Sequence, residues 1–282
     1  MDCNVSRRGF LGTAALAGLP AVVPELLGAA APKPVPVKLG VCSYSFTAKM
    51  KLPEVVHAMQ ALGIRPVNIK PEFHLPYSSG PGEIAEARKM IDEAGLQLVG
   101  TGTTYLTRLD EGEIRQRFEY NKALGSPLIV IGPTLETLPL IERYVKEYDI
   151  KVAIHNHGPS DQHFPTPQSA LKAIQQLDPR VGLCMDVGHT MRSGVDPVAA
   201  AQEAGARLLD MHTKDVRRDT TGMWPAVNVG EGHIAIPALF RQLEKMGYSG
   251  YCNLEHELRG EDKLPDMRIS FAYMRGVLAA MG

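Results

Sequence analysis

From Lys38 onward, short apolar runs alternate with helical stretches, eight times over roughly 245 residues. Strand-like runs fall at 38–46, 66–70, 96–102, 128–132, 150–156, 181–186, 207–212 and 251–255. Helical patterns fall between and after them, at 53–62, 82–94, 111–124, 135–148, 166–177, 197–204, 237–246 and 265–280. Proline at the first turn (Pro53) and glycine after the last (Gly95, Gly125) mark several helix ends. Strands alternating with helices require a parallel sheet, and eight such units at this length predict a closed α/β barrel, the (β/α)8 or TIM barrel. The rival is an open doubly wound sheet. It usually carries a glycine-rich phosphate turn after its first strand, where this chain reads Cys42-Ser43-Tyr44-Ser45-Phe46.

A barrel of this kind places its chemistry at the C-terminal ends of the strands. Polar side chains gather there. The run Val181–Met185 stops at Asp186, with Gly188 and His189 just beyond. Read alone, this is either a site or an Asx turn beside a surface histidine. The same pattern recurs in Lys70-Pro71-Glu72-Phe73-His74, His155-Asn156-His157, His212-Thr213-Lys214-Asp215 and Glu255-His256-Glu257. Of the nine histidines, only His57 and His163 stand apart from a strand tip or from the loop after the seventh strand, which holds His233. His155, Asp186, His212 and Glu255 end four consecutive strands, a set expected to bind one divalent metal ion. A metal-free polar cluster is the alternative. The mixed nitrogen and oxygen donors suit Mn, Zn, Co, Fe or Mg, whereas calcium takes more oxygens.

The pieces Ile154-His155-Asn156-His157, Met185–His189, Met211–Asp215, Val229–His233 and Leu254-Glu255-His256 resemble the sugar phosphate isomerase/epimerase group of xylose isomerase-like barrels, which includes the endonuclease IV-type enzymes. The resemblance implies that Asp186, His212 and Glu255 are metal ligands. The fourth ligand of the family is usually a glutamate, where this chain has His155, so the paired-glutamate mechanism of the epimerases does not carry over. By the same resemblance His189 contacts substrate or metal, and His74 lies near the site. The extra ligands of the endonuclease branch are missing from Trp224–Asn228.

The expected reaction is metal-assisted proton abstraction beside a sugar carbonyl, through an enediolate, on an unphosphorylated sugar or sugar derivative. Glu255 or His155 is expected to take the proton. Lys70, His74, His157, His189, Lys214 and Glu231 are expected to contact substrate, with Glu231 aimed inward by its Gly-Glu-Gly turn. Lys214 and Asp215 alternatively form an ion pair at the rim. Phe46, Met223 and Trp224 either cover the site or stack on a sugar. Two other functions remain open: a 3-keto-glycoside lyase or hydrolase using the same abstraction, and a non-catalytic sugar-binding barrel.

Residues 1–31 read as a twin-arginine signal peptide, with Ser6-Arg7-Arg8-Gly9-Phe10-Leu11, an apolar stretch to Leu27 and Ala29-Ala30-Ala31. Residues 32–282 then form the barrel domain, and a periplasmic location is expected. Gly12, Gly18, Pro20 and Pro24 interrupt the apolar stretch, so no permanent membrane anchor is expected. A net charge of -1 argues against a nucleic-acid partner. The expected partner is a small-molecule carbohydrate, and a homo-oligomer is compatible with the sequence. Cys42, Cys184 and Cys252 follow the signal; an odd number inside strand-like runs suits buried core positions rather than disulfides.

Overall fold

The computed structural model describes residues 36–282, so the expected signal segment lies outside the described residues. Eight strands close into a parallel barrel in the order β1-β10-β7-β6-β5-β4-β3-β2. They are β1 Lys38–Cys42, β2 Pro66–Ile69, β3 Gln97–Leu106, β4 Leu128–Pro133, β5 Lys151–His155, β6 Val181–Asp186, β7 Leu208–Thr213 and β10 Tyr251–Leu254. The remaining pair, β8 Asp215–Val216 and β9 Ala226–Val227, forms an antiparallel hairpin within the loop after β7. Every residue of β4 and of β6 is buried, as expected where a strand faces the barrel interior on one side and helices on the other.

The helices are α1 Leu52–Leu62, α2 Pro71–His74, α3 Pro81–Glu93, α4 Glu111–Leu124, α5 Leu138–Tyr148, α6 Pro167–Ile174, α7 Val187–Arg192, α8 Pro197–Ala204, α9 Ile236–Lys245 and α10 Leu264–Met281. In α9 the buried residues are Ile236, Leu239, Phe240 and Leu243, the spacing that puts one stripe against the sheet. Each such side chain contributes about 1.5–3 kcal/mol on burial. Asp110 caps α4 by accepting from Glu113 N, and Gly125 ends it with a positive φ of 71°. No helix among the described residues is long and apolar enough to cross a membrane.

The eight predicted units are present, with local differences. β1 ends at Cys42 rather than 46, because Ser43–Ser45 winds into a single 3-10 turn. β3 runs on to Leu106. Two short helices, α2 and α7, follow directly on β2 and β6. Cys42, Cys184 and Cys252 are buried free thiols, as expected.

Candidate metal centre

Four strand tips meet at one point. His155 ends β5 and Asp186 ends β6, while His212 is one residue from the end of β7 and Glu255 lies just past β10. One donor atom from each falls within 4.8 Å of the others, and all four residues are buried. His155 Nε2 stands 3.3 Å from Asp186 Oδ2, and His212 Nδ1 stands 3.3 Å from Glu255 Oε1.

The two oxygens of Asp186 have separate tasks. Oδ1 accepts from His189 N at 2.8 Å and caps α7, so the helix begins without a break after the strand. Oδ2 is left for the cluster. Asn156 steadies this tip: its Oδ1 accepts from Asp186 N at 2.9 Å and its Nδ2 donates to Thr190 Oγ1 at 3.1 Å.

Lys214 runs through the middle of the acidic groups. Its Nζ lies 2.6 Å from Glu255 Oε2, 2.5 Å from Glu257 Oε1 and 2.9 Å from Asp186 Oδ2, the last as an ion pair off the hydrogen-bonding direction. Arg192 reaches Glu257 Oε2 at 3.4 Å. Three carboxylates therefore face Lys214, Arg192 and the His212 ring, whose pKa stands well above its usual value despite burial, with Glu255 beside it. Burial alone would raise the Asp186 carboxyl; the Lys214 ammonium, with the His155 ring beside Oδ2, outweighs it and holds it well below the carboxylate range. Burial likewise opposes ionisation of Glu255, and His212 and Lys214 outweigh it. Burial holds His155 neutral.

The glycine in Met185-Asp186-Val187-Gly188-His189 has a mechanical reason. A Cβ on Gly188 would lie 2.6 Å from Lys214 Cγ and from Cδ, so the lysine stem passes where a side chain would be. Gly188→Ala is expected to cost about 1–3 kcal/mol by overpacking and to pull Lys214 off its three partners. Thermal unfolding of the purified variant measures the first effect. Unchanged stability and activity would remove the packing argument.

A cleft of about 400 Å3 opens over this cluster, lined by Lys70, His155, His157, His189 and Glu255 among others. Lys70 Nζ donates to Thr103 O and pairs with Glu72 Oε2 at 3.2 Å. Tyr105 and His157 meet edge to face, with ring centroids 6.2 Å apart. The structure thus brings together His155, Asp186, His212, Glu255, Lys214, His157, His189 and Lys70.

Two expected residues lie elsewhere. His74 is buried with Nδ1 3.1 Å from Met50 O and Nε2 3.0 Å from Ser43 O. It braces the segment after β1 and does not line the cleft. Glu231 is exposed. The glycines around it exist for Asp215, whose Oδ2 accepts from Gly230 N and Gly232 N at 3.0 Å each. A Cβ on Gly232 would stand 2.1 Å from Asp215 Oδ1. Asp215 is therefore spent on this loop, and the ion pair expected between Lys214 and Asp215 gives way to the one with Asp186, Glu255 and Glu257. Phe46 is core, 3% exposed, while Met223 is 66% exposed. Trp224 packs on the core and meets His233 edge to face.

The sequence reading passed over Glu257, Arg192, Tyr44, Phe73 and Tyr105. Glu257 was legible as a second carboxylate two residues beyond Glu255 at the same strand tip. Tyr44 and Phe73 stack at 5.7 Å on the cleft wall, and nothing in their sequence context separates them from core aromatics.

The residues fit a divalent cation. His155 Nε2, His212 Nδ1 and His212 Nε2 are buried without a hydrogen-bond partner, which is costly unless something binds them. Two imidazoles with two carboxylates are a donor set for such an ion.

Histidines held neutral make the metal-free protein acid-sensitive. Burial lowers His189 to about 3 and His256 to about 4, and lowers His74 as well. The unfolded chain takes up protons near pH 6.5 that the folded chain refuses, so stability falls as pH drops from 7 toward 4. Each such ring costs on the order of 1 kcal/mol per pH unit in that window. Chemical denaturation of chelator-treated protein at pH 7.5 and 5 measures this; equal stabilities would contradict it.

Known proteins share this framework. Over 132 residues the chain is 30% identical to the rhizopine catabolism protein MocC of Rhizobium meliloti, a stretch covering 42% of this chain and 40% of that protein. It is 29% identical over 131 residues to an inosose dehydratase of Clostridium tetani, covering 41% of this chain and 43% of that enzyme. The matched stretches thus span less than half of either relative. Among solved structures, the 3-keto-D-glucoside 4-epimerase of E. coli superposes with a TM-score of 0.69 at 19% identity, covering 85% of this chain and 99% of that one, which establishes likeness of fold. The pattern of the family described as xylose isomerase-like TIM barrel matches residues 56–276, and the chain belongs to that family.

Proposed function

We propose that this protein is a divalent-metal-dependent isomerase or epimerase that removes a proton beside the carbonyl of an unphosphorylated sugar or sugar derivative. The observation that carries this reading is the buried set of His155, Asp186, His212 and Glu255 with unsatisfied ring nitrogens. The likeness in fold to an enzyme described as a 3-keto-D-glucoside 4-epimerase supports it. So does the twin-arginine motif, which suits export to the periplasm, where sugars carry no phosphate.

His155, Asp186, His212 and Glu255 would hold the cation. When bound, a divalent ion there acts as a Lewis acid that polarises a carbonyl and acidifies the adjacent C–H. The chain supplies the rest. A divalent ion held there would add positive charge to the site, which would favour an enediolate over the neutral sugar. Glu255 takes the proton. Pinned by His212 and Lys214 it is a weak base, which matches a carbon already made acidic. Lys214 joins Glu255 to Glu257 through contacts of 2.6 and 2.5 Å, a path for moving that proton to the cleft wall. Lys70, His157 and His189 orient hydroxyl groups.

A second reading is elimination by the same abstraction, as a dehydratase or a lyase of a keto-sugar. It is favoured by the histidine at 155, which leaves no second carboxylate to reprotonate the opposite face, and by the stretch shared with an inosose dehydratase. Incubation of Mn-loaded protein with ketoses, inososes and 3-keto-glycosides in deuterated water separates the two. Deuterium retained in an isomeric sugar supports the first; loss of water or release of an aglycone supports the second. No turnover and no exchange at any substrate would leave a sugar-binding barrel.

A further inference from the structure

Beneath the metal-binding layer lies a second polar layer. It is reached by stepping back two residues along each strand: Asp186 to Cys184, His212 to Asp210, Glu255 to Asn253. Strand register pairs Cys184 with Asp210 just as it pairs Asp186 with His212. Asp210 is a carboxylate 2% exposed inside the barrel. Its Oδ1 accepts from Asn253 Nδ2 at 2.8 Å. Its Oδ2 faces the Cys184 thiol at 4.0 Å, with the Met211 N–H and the Asn68 amide also beside the carboxylate.

His212 connects the layers. Its Nδ1 edge faces Glu255. It also clusters with Cys184 and Asp210, one donor atom of each within 4.8 Å of the others. Nε2 has no hydrogen-bond partner and is buried. A ring that gives one nitrogen to a cation must carry its proton on the other, and that N–H needs an acceptor. Asn253 Oδ1 is turned toward Gly40, where a Cβ would stand 2.2 Å away. The Cys184 and Cys42 thiols, both beside His212, are kept protonated by burial, which makes them donors. Asp210 Oδ2 is the acceptor that remains.

We propose that Asp210 is a positioning residue: it accepts the Nε2–H of His212 and so fixes that ring with an unprotonated Nδ1 turned toward the cation. Asp210 lines the cleft at the opposite, N-terminal end of the barrel and not the one above the metal centre. It therefore acts through His212 and touches no substrate. The inference rests on the metal-site reading given above.

Asp210→Asn tests it sharply. Asn253 Nδ2 would still donate to the amide oxygen, which turns the amide NH2 toward His212. Nε2 must then accept, and the proton moves to Nδ1, the wrong nitrogen. Full-length protein labelled with 15N-histidine reports the tautomer directly at pH 8, with the His212 signal assigned by its loss in His212→Gln. The expected result is a protonated Nε2 in metal-free wild type and an unprotonated Nε2 in Asp210→Asn. Titration calorimetry with Mn2+ is expected to show a dissociation constant raised about 10- to 100-fold, with melting of the metal-free variant close to wild type. An unprotonated Nε2 in the wild type overturns the proposal without any variant. An unchanged tautomer with Mn2+ affinity within twofold, whatever happens to the melting temperature, overturns it too. If wild type binds no Mn2+, the metal reading fails, while the pair of tautomer measurements still decides the role of Asp210.

Discussion

Replacing Lys214 by methionine is expected to destabilise the metal-free protein by about 3–5 kcal/mol, the usual consequence of removing one member of a buried ion cluster. The side chain of Lys214 is 2% exposed, and its ammonium lies within 2.9 Å of Asp186, Glu255 and Glu257. Methionine keeps the stem that crosses Gly188 and removes only the charge. The three carboxylates would then lose their closest cation, and the site would be one charge more negative. For a domain of this size the melting temperature should fall by roughly 10 °C. The added negative charge should attract a cation more strongly, so saturating Mn2+ should raise the melting point of Lys214→Met more than that of wild type. Calorimetric scans with chelator and with Mn2+ give both numbers. A metal-free variant as stable as wild type would mean that the ammonium does not hold the carboxylates together. A smaller metal response would mean that Lys214 helps to bind the ion rather than to balance its site.

The barrel was legible because its rule is periodic. Apolar runs such as Leu128–Ile131 and Val181–Met185 have the length and bounding turns of two-sided buried strands, and the glycines and prolines between them mark where helices end. The four tip residues were legible for the same reason: each interrupts an apolar run at its end, and parallel closure brings such ends together. What failed depended on where a side chain turns after leaving its strand. His74 and Glu231 sit in segments with the right composition, yet His74 faces two carbonyl oxygens and Glu231 faces solvent. The partners of Lys214 were illegible because its neighbour in sequence, Asp215, is a plausible mate; only the fold shows Asp215 holding Gly230, Gly232 and Ile234 instead. Helix α7 was hidden because it is one capped turn and a half, too short for periodicity to register, and its cap is the same aspartate that ends the strand.

Asp186→Ala is expected to abolish metal binding and turnover together while leaving a folded protein. The residue is fully buried, and Oδ2 is directed at His155 Nε2 and Lys214. Loss of partners outside the ligand set commonly weakens metal affinity 10- to 100-fold, so loss of a direct ligand should exceed about 100-fold. The cost to folding is smaller. Lys214 keeps Glu255 and Glu257, so no cation is orphaned; the losses are the cap on α7, about 1 kcal/mol, and the Asp186–Lys214 ion pair. Asp186→Asn separates the two tasks, because its amide oxygen still caps His189 N while the charge is gone. It should keep α7 capped, lose the ion pair with Lys214 as Asp186→Ala does, and still bind no Mn2+. Elemental analysis and turnover on the purified variants decide between readings. A variant that stays active without metal would show that Lys214 and the histidines handle the carbonyl alone. A variant that retains metal would place the ion elsewhere than at the meeting point of these four strands.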